Sequence, residues 1–342
     1  MQKILIRFFL WCLSWVYMLA VFVRKLSYKT RLKKTYQLPG ITISVGNIAV
    51  GGTGKSPIVI ELARYLIEQG HRPAVLTRGY KSGIKPEEFA ILRNGSIQNS
   101  NFGIRNIYAD EAMMQSKELF DVPIIIGRRR YQAAMWYLDI CKEKPTHWIL
   151  DDGFQHLQVQ RSVDIVLLDA VEPLSDEKLL PLGHLRESKK ALCRADVIIF
   201  TRCKKSFPSD VMMAEVKNIS QAPLFFVPFE YGELSLISLD QYDVLKQNPR
   251  AEIAVLVGVA KPDEVIDYLV AIGKNIRHVI KVSDHQRFPL LAVKERIAGC
   301  SAVVTTAKDY WREPEIFHKI NIPTYILPLS LKTAKLCFSS IL

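Results

Sequence analysis

The spacing of apolar residues predicts alternating strands and helices from residue 41 onward. Residues 41–45 form a short β-branched run that is typical of a buried strand. Apolar residues between 58 and 67 then recur at helical spacing, with Pro57 at the start and Gly70 just past the end, where helix boundaries favour them. Further strand-like runs occupy residues 72–77, 122–126, 147–150, 163–169 and 195–200. This alternation predicts an α/β fold with a mostly parallel sheet and helices on both faces.

Two segments depart from this alternation. Residues 81–103 are polar with scattered glycines, and we expect them to have little regular structure. Residues 224–237 indicate an extended ribbon, after which a second set of strand-like runs begins at 253–258, 278–282, 302–306 and 324–327. A helical pattern between these runs predicts a smaller α/β domain. The expected organisation is therefore an N-terminal hydrophobic and basic helix, a main domain and a smaller C-terminal domain joined through the ribbon, over residues 1–34, 35–222 and 223–342.

The N-terminal segment concentrates both apolar residues and positive charge. Residues 8–23 are uncharged and rich in aromatics, and with residues 4–7 they would form about 30 Å of helix, just enough to cross a bilayer. Of the net charge of +12, eight positive charges precede residue 40 with no acidic residue among them, which leaves about +4 for the rest. A basic cluster beside an apolar run favours an anionic membrane surface over nucleic acid as partner. A helix that spans the membrane and one that lies in its interface both fit. A helix packed on the protein body is the alternative, and a cleaved signal peptide is disfavoured because most of the charge follows the apolar run.

A glycine-rich loop lies between the first strand and the first long helix. The loop ends in Gly-Lys-Ser at residues 54–56, as in the phosphate-binding pattern G-x-x-x-x-G-K-[ST], although Ala49 replaces the first glycine. Strand, loop and helix in this order are typical of P-loop NTPases, in which loop amides and the helix N-terminus bind phosphates and the lysine reaches the β- and γ-phosphates. The predicted nucleotide-binding residues are Ala49, Val50, Gly51, Gly52, Thr53, Gly54, Lys55 and Ser56.

An apolar strand ending in carboxylates follows about a hundred residues later. Residues 147–150 run into Asp151 and Asp152. This is the Walker B arrangement, in which an acid helps to hold the Mg²⁺ that bridges the phosphates. We therefore predict Ser56 and Asp151 as Mg²⁺ ligands, whereas a simple Asp-Asp-Gly turn is the alternative interpretation. The six cysteines are scattered, without zinc spacing, and indicate reduced cytosolic thiols.

Several of these segments together resemble the tetraacyldisaccharide 4′-kinase family, the lipid A 4′-kinases. The two most specific are Gly51-Gly52-Thr53-Gly54-Lys55-Ser56-Pro57 and Asp151-Asp152-Gly153-Phe154-Gln155-His156. The other matching segments are 44–47, 77–80, 110–111, 164–170, 183–187, 284–285 and 305–309, so the resemblance covers nearly the whole chain in the family's order. The chain departs from the family at Ala109, where glycine is usual, and at Ser56, where threonine is usual.

The resemblance implies transfer of the ATP γ-phosphate to the 4′-hydroxyl of an acylated glucosamine disaccharide 1-phosphate, at the cytoplasmic face of the bacterial inner membrane. Asp110, which taken alone would be interpreted as a helix N-cap, becomes the candidate base, paired with His285. Asp152 is expected to support the metal or the base. Charge and position at strand ends or in loops make further residues candidates for contact with the substrate: Arg78, Arg128, Arg186 and Glu187. ATP and Mg²⁺ are the expected cofactors, and no protein partner is predicted.

Two other functional classes compete with a kinase. A membrane-tethered P-loop ATPase or GTPase switch would share the phosphate loop, but guanine recognition favours Asn-Lys-x-Asp, and the nearest segment, 306–309, has Lys and Asp adjacent. A non-enzymatic membrane scaffold with a degenerate nucleotide site is disfavoured because Lys55, Ser56 and Asp151 are all present.

Overall fold

The computed structural model of the chain describes residues 2–80, 82–103, 109–172, 174, 178–203, 207–237, 243–283, 286–331 and 333–341. In these residues the strands are β1 (Ile41–Asn47), β2 (Pro73–Thr77), β3 (Ala90–Arg93), β4 (Ser96–Ser100), β5 (Ile124–Ile126), β6 (His147–Asp151), β7 (Val163–Asp169), β8 (Val197–Thr201), β9 (Leu224–Val227), β10 (Glu230–Tyr231), β11 (Ser235–Leu236), β12 (Glu252–Val257), β13 (Asn275–Lys281), β14 (Ala302–Thr306), β15 (Thr324–Leu327) and β16 (Leu329–Ser330). The helices are α1 (Gln2–Lys29), α2 (Lys55–Glu68), α3 (Asp110–Glu118), α4 (Arg130–Ile140), α5 (Asp210–Ile219), α6 (Val244–Gln247), α7 (Pro262–Ala271), α8 (Leu290–Ile297), α9 (Ala307–Arg312), α10 (Pro314–Ile320) and α11 (Ala334–Ser339), with a 3₁₀ helix at Lys189–Arg194.

The chain divides into two compact units. The first comprises Met1–Arg105, Gln115–Phe229 and Leu331–Leu342, and the second comprises Asn106–Met114 and Glu230–Ser330. These bounds differ from the ranges expected from the sequence in three places: residues 223–229 and the final segment belong to the first unit, and the start of α3 belongs to the second. In this final segment Phe338 of α11 packs against Tyr65 of α2 with ring centroids 5.8 Å apart. Lys335 Nζ lies 2.5 Å from Glu68 Oε1.

The first unit contains a nine-stranded sheet in the order β4-β3-β5-β2-β6-β1-β7-β8-β9. At its centre β1 pairs in parallel with β6 on one side and β7 on the other. The residues of β2, β5, β6 and β8 are buried throughout, as expected for a parallel sheet covered on both faces. The predicted mostly parallel α/β fold is confirmed.

One edge of this sheet corrects the expectation of little regular structure in residues 81–103. Strands β3 and β4 pair antiparallel, and β3 pairs antiparallel with β5. The turn between them is Asn94-Gly95, with φ of +50° and +72°, and Asn-Gly is a strong hairpin signal because both residues tolerate positive φ. The polar composition of β4, which lies at the edge, obscured this signal.

The opposite edge corrects the predicted ribbon. Residues 224–227 form β9, which pairs in parallel with β8 and belongs to the large sheet. Phe226 stacks on Phe200 of β8 with ring centroids 5.6 Å apart. This apolar pairing explains why the segment joins the first unit.

The second unit has its own five-stranded sheet, in the order β11-β15-β14-β12-β13. β12 pairs in parallel with β13 and β14, β14 pairs in parallel with β15, and β11 adds antiparallel. Two apolar clusters cover the sheet, one with Leu269 of α7 and one with Val293 of α8. This is the smaller α/β fold expected from the sequence.

Helix α1 exposes many apolar side chains and contacts the rest of the first unit through polar ones. Large apolar side chains from Ile4 to Leu26 are exposed, whereas Ser14 and Tyr17 face the protein, where they hydrogen-bond to carbonyl groups of residues 179 and 186. By length and composition this helix could cross a membrane. Its outward apolar surface disfavours the alternative in which the helix buries its apolar residues on the protein body.

Candidate nucleotide site

The phosphate loop lies at the carboxyl edge of the large sheet. β1 ends at Asn47, and α2 begins at Lys55 after the loop that contains residues 48–54. Gly54 is the N-cap residue of α2 and has φ +80°. Because glycine has no side chain, it cannot accept hydrogen bonds from the first amides of the helix. A helix N-terminus with such amides and its positive dipole end is suited to bind an oxyanion.

Side chains from neighbouring strands hold the loop in this shape. Asn47 donates to the Thr53 hydroxyl at 2.9 Å, and the Thr201 hydroxyl donates to the Thr53 carbonyl at 3.0 Å. Arg202 donates to the carbonyl of Gly52 and also pairs with the buried carboxylate of Asp169. These contacts restrain the loop, and such restraint lowers the cost of ordering a loop around phosphates.

Lys55 and Asp152 face each other beside the loop. Lys55 Nζ lies 3.7 Å from Asp152 Oδ1, and Arg186 Nη1 donates to Asp152 Oδ2 at 2.7 Å. Burial would raise the pKa of the Asp152 carboxyl, but the positive charges of Lys55, Arg186 and Arg130 outweigh burial and hold this pKa below its ordinary value. Asp152 is therefore ionised at neutral pH.

The backbone of Asp152 is in an unusual conformation that a buried arginine supports. Asp152 has φ +52°, which is uncommon for a residue other than glycine. Arg130, 4% exposed, donates to the Asp152 carbonyl at 3.1 Å. Burial lowers the pKa of this guanidinium, partly offset by Asp152 and Asp151. Burial and neighbouring positive charges, Arg130 first among them, also lower the pKa of His156 to about 3.

Asp151 ends β6, next to β1, and is 2% exposed. Gln115 of α3 donates to Asp151 Oδ2 at 3.0 Å. Ser56, the second residue of α2, is also buried. The described part of the chain contains no cluster of three or more His, Cys, Asp or Glu side chains that could hold a metal. One hydroxyl and one carboxylate, completed by phosphate oxygens and water, fit Mg²⁺, which is usually bound with few protein ligands.

The loop that carries Arg186 and Glu187 pairs with the start of the phosphate loop. Leu185 bridges Ala49 in antiparallel fashion, and the Arg186 amide donates to the Ile48 carbonyl at 2.7 Å. The Glu187 carboxylate is only 3% exposed and pairs with Arg194 at 2.8 Å and with Lys25. Arg186 therefore adjoins the predicted nucleotide site, and Glu187 lies in a buried ion-pair cluster.

The other predicted substrate residues differ in exposure. Arg78 directly follows β2, and Arg128 lies between β5 and α4; both are exposed. Arg130 is buried and supports Asp152, as described above. Of the basic triplet at residues 128–130, two members thus face solvent, while the third belongs to the site.

The predicted base lies in the second unit. Asp110 is the first residue of α3, and residues 106–114 group with that unit. The carboxylate Oε1 of the neighbouring Glu111 lies 3.6 Å from Lys308 Nζ. The adjacent Asp309 is fully buried and accepts from the Gly258 amide at 3.0 Å and the Thr306 hydroxyl at 2.8 Å. His285 lies outside the described residues.

Several residues of the site were not predicted from the sequence. Gln115, Asn47, Thr201 and Arg202 each contact the phosphate loop or its carboxylates. Asn47 and Thr201 end strands of the sheet, and Arg202 follows directly, so position at a carboxyl strand end was an available signal for three of them. Gln115 lies within a helix and gave no such signal.

A central parallel strand, a phosphate loop, a helix and a carboxylate on the adjacent strand define this protein as a P-loop phosphate-binding protein. The family model described as tetraacyldisaccharide-1-P 4′-kinase matches residues 6–342. The chain belongs to this family, which makes it a kinase and confirms the resemblance carried by the sequence motifs.

Individual relatives agree. The chain is 32% identical over 337 residues to the tetraacyldisaccharide 4′-kinase of Elusimicrobium minutum, covering 95% of this chain and 87% of that protein. It is also 32% identical over 359 residues to the enzyme of the same name from Halothermothrix orenii, covering 96% and 90%. Among solved structures, LpxK from Aquifex aeolicus in complex with ATP matches with a TM-score of 0.74 and 25% identity, over 98% of this chain and 100% of that one.

Proposed function

We propose that this chain transfers the γ-phosphate of ATP to the 4′-hydroxyl of tetraacyldisaccharide 1-phosphate, forming lipid IVA in lipid A biosynthesis. The observation that carries the proposal is the phosphate loop, in which Lys55 lies 3.7 Å from Asp152 at the start of α2. The loop supports a triphosphate donor, and the family supports the lipid disaccharide as acceptor.

In the proposed donor site, the amides of residues 51–56 and the Lys55 ammonium bind the phosphates. Ser56 and Asp151 hold Mg²⁺, which when bound neutralises charge on the phosphates. Gln115 orients the Asp151 carboxylate through its hydrogen bond. Asp152, kept ionised by the cations around it, holds Lys55 and Arg186 at the edge of the site.

On the acceptor side, Asp110 takes the proton of the sugar hydroxyl. The family resemblance pairs it with His285, and a carboxylate beside an imidazole can provide a proton acceptor near neutral pH. Arg78 and Arg128 are exposed at the carboxyl side of strands β2 and β5, where bidentate contact with the substrate's 1-phosphate is available. Glu187, in contrast, is too buried to be a first choice for direct contact with the sugar.

We infer that the enzyme works at the cytoplasmic face of the inner membrane, next to its acylated substrate, and the exposed apolar side chains of α1 support its attachment there. The contacts of α1 with the first unit extend from Ser14 to Arg24, which donates to the Gln155 carbonyl at 2.6 Å. A helix that keeps these contacts lies along the protein body and therefore along the membrane surface. This favours the interfacial arrangement over a spanning one.

The experiment measures nucleotide consumption by the purified chain in detergent micelles, with and without tetraacyldisaccharide 1-phosphate. ATP consumption should depend on the lipid, and Lys55→Met should abolish it. Lys29→Met removes an equal charge from an exposed position and serves as the matched control. Hydrolysis of ATP or GTP at a rate that the lipid leaves unchanged would instead support the membrane-tethered switch.

A further inference from the structure

We propose that α1 is a positioning element of the nucleotide site, in addition to a membrane anchor. Specifically, Tyr17 and Lys25 hold the Arg186–Glu187 segment so that the Arg186 guanidinium stays on Asp152. This inference rests on the proposed kinase function. It predicts that two residues of the hydrophobic helix affect kcat.

The first observation is the fixation of the Arg186 backbone and side chain at three points. Its amide donates to the Ile48 carbonyl at 2.7 Å, and its carbonyl accepts from the Tyr17 hydroxyl at 3.0 Å. Its side chain donates to Asp152 Oδ2 at 2.7 Å. Two of these contacts lead to the phosphate loop and to the carboxylate beside Lys55, and the third comes from α1.

The second observation is the charge arrangement around Glu187. Its carboxylate, 3% exposed, pairs with Lys25 of α1 on one side and with Arg194 at 2.8 Å on the other. A buried carboxylate requires such partners because desolvation disfavours the charged form. Loss of Lys25 would leave Arg194 as the remaining cation, and Glu187 and the adjacent Arg186 would shift toward it.

The third observation is the distribution of polarity on α1. Ser14, Tyr17 and Lys25 recur at helical spacing and face the protein, and they contact residues 179, 186 and 187. Elsewhere on the helix, large apolar side chains between Ile4 and Leu26 are exposed. Polar groups facing the protein suit a helix whose exposed apolar surface is covered by lipid, because their hydrogen bonds and ion pair fix its position on the protein.

This arrangement couples the position of α1 to the position of the Arg186 side chain. A helix seated in the membrane is restrained, and its contacts restrain the loop that presents Arg186 to Asp152 and, through Asp152, to Lys55. Disruption of the contacts should therefore lower kcat. A helix that served only as an anchor would instead affect the KM for lipid.

The test compares matched variants of the full-length chain in neutral detergent micelles at saturating lipid. Tyr17→Phe removes only a hydroxyl and should lower kcat roughly fivefold, the effect of one hydrogen bond. Lys25→Met should lower kcat about tenfold or more, because the buried carboxylate loses a charged partner, and Lys25→Arg should restore it to within about twofold. Tyr28→Phe and Lys29→Met make the same chemical changes on the same helix and should leave kcat unchanged.

A second measurement does not depend on activity. Hydrogen exchange of residues 178–188 should become faster in Tyr17→Phe and Lys25→Met and should stay at the wild-type rate in the two controls, since the Arg186 amide is protected by its bond to Ile48. Equal exchange in all variants, or an effect confined to the lipid KM, would overturn the positioning role. If the wild-type chain has no lipid kinase activity but the variants show these exchange differences, the proposed function is overturned and the contact between α1 and the Arg186 segment is still established.

Discussion

Two glycines at the ends of α2 allow the phosphate loop to be perturbed with a built-in control. Gly54 has φ +80° at the N-terminal end, and Gly70 has φ +78° just past the C-terminal end. Alanine at either position incurs the same backbone strain, because left-handed backbone is unfavourable for residues with a Cβ. Only Gly54 lies in the predicted nucleotide site.

The surroundings of the two glycines predict different costs. A Cβ at Gly54 would lie 2.1 Å from Cζ and 2.8 Å from Cε2 of Phe229, whereas nothing lies within 4 Å of a Cβ at Gly70. We expect Gly70→Ala to lower the free energy of unfolding by about 1 kcal/mol, from backbone strain alone. Gly54→Ala should add an overpacking cost of about 1–3 kcal/mol. In a Phe229→Ala background this extra cost should disappear, because the ring is absent.

Urea denaturation followed by tryptophan fluorescence, together with ATP titration, measures both effects. Because the loop amides that bind phosphate shift with Gly54, Gly54→Ala should weaken ATP binding by about tenfold or more, roughly one hydrogen bond to a charged group. Gly70→Ala should bind ATP as the wild type does. If the two variants unfold at the same urea concentration and bind ATP equally well, the assignment of residues 49–56 as the phosphate loop is refuted.

Three further predictions concern the carboxylates and the half-buried His156. Asp110→Asn should abolish phosphate transfer while ATP affinity is retained, as measured with labelled ATP; unchanged turnover would remove Asp110 from the mechanism. Gln115→Leu removes the hydrogen bond to Asp151 and should raise the Mg²⁺ concentration for half-maximal rate about tenfold, and an unchanged Mg²⁺ requirement would argue against Asp151 as a ligand. The folded-state pKa of His156 is about 3, below the ordinary 6.5, so the unfolded chain binds a proton first as the pH falls. The stability that His156 contributes is therefore complete above pH 6.5 and declines as the pH falls toward 3. His156→Gln should reduce the change in the urea midpoint of unfolding between pH 7 and pH 5. The same pH dependence in the variant and the wild type would contradict this.

The parts of the site that the sequence predicted are those encoded locally. The loop that ends at Lys55 and Ser56 follows directly from a strand, a glycine-rich turn and a helix in sequence. Asp151 could be placed beside it because carboxyl ends of parallel strands meet at one edge of a sheet. In both cases neighbouring residues determine the chemistry and the topology brings it together.

The parts that were missed depend on distant contacts or on weak patterns. Tyr17 reaches a carbonyl 169 residues away, and Arg202 reaches the phosphate loop from 150 residues away, and no local pattern specifies such pairs. The apolar run at residues 224–227 indicated extended structure but not which sheet it joins. The hairpin at Asn94-Gly95 carries a usable turn signal, but its polar second strand lacks the apolar alternation that predicts a strand.

Analysis of the product distinguishes phosphate transfer to the lipid from hydrolysis of ATP. Purified chain, Mg²⁺, ATP labelled at the γ-phosphate and tetraacyldisaccharide 1-phosphate in micelles should yield a lipid that retains its 1-phosphate and carries one new labelled phosphomonoester on the 4′-oxygen, identified by mass spectrometry and phosphorus NMR. Release of the label as inorganic phosphate, with the lipid recovered unchanged, would show that the chain hydrolyses ATP and is not a kinase for this lipid.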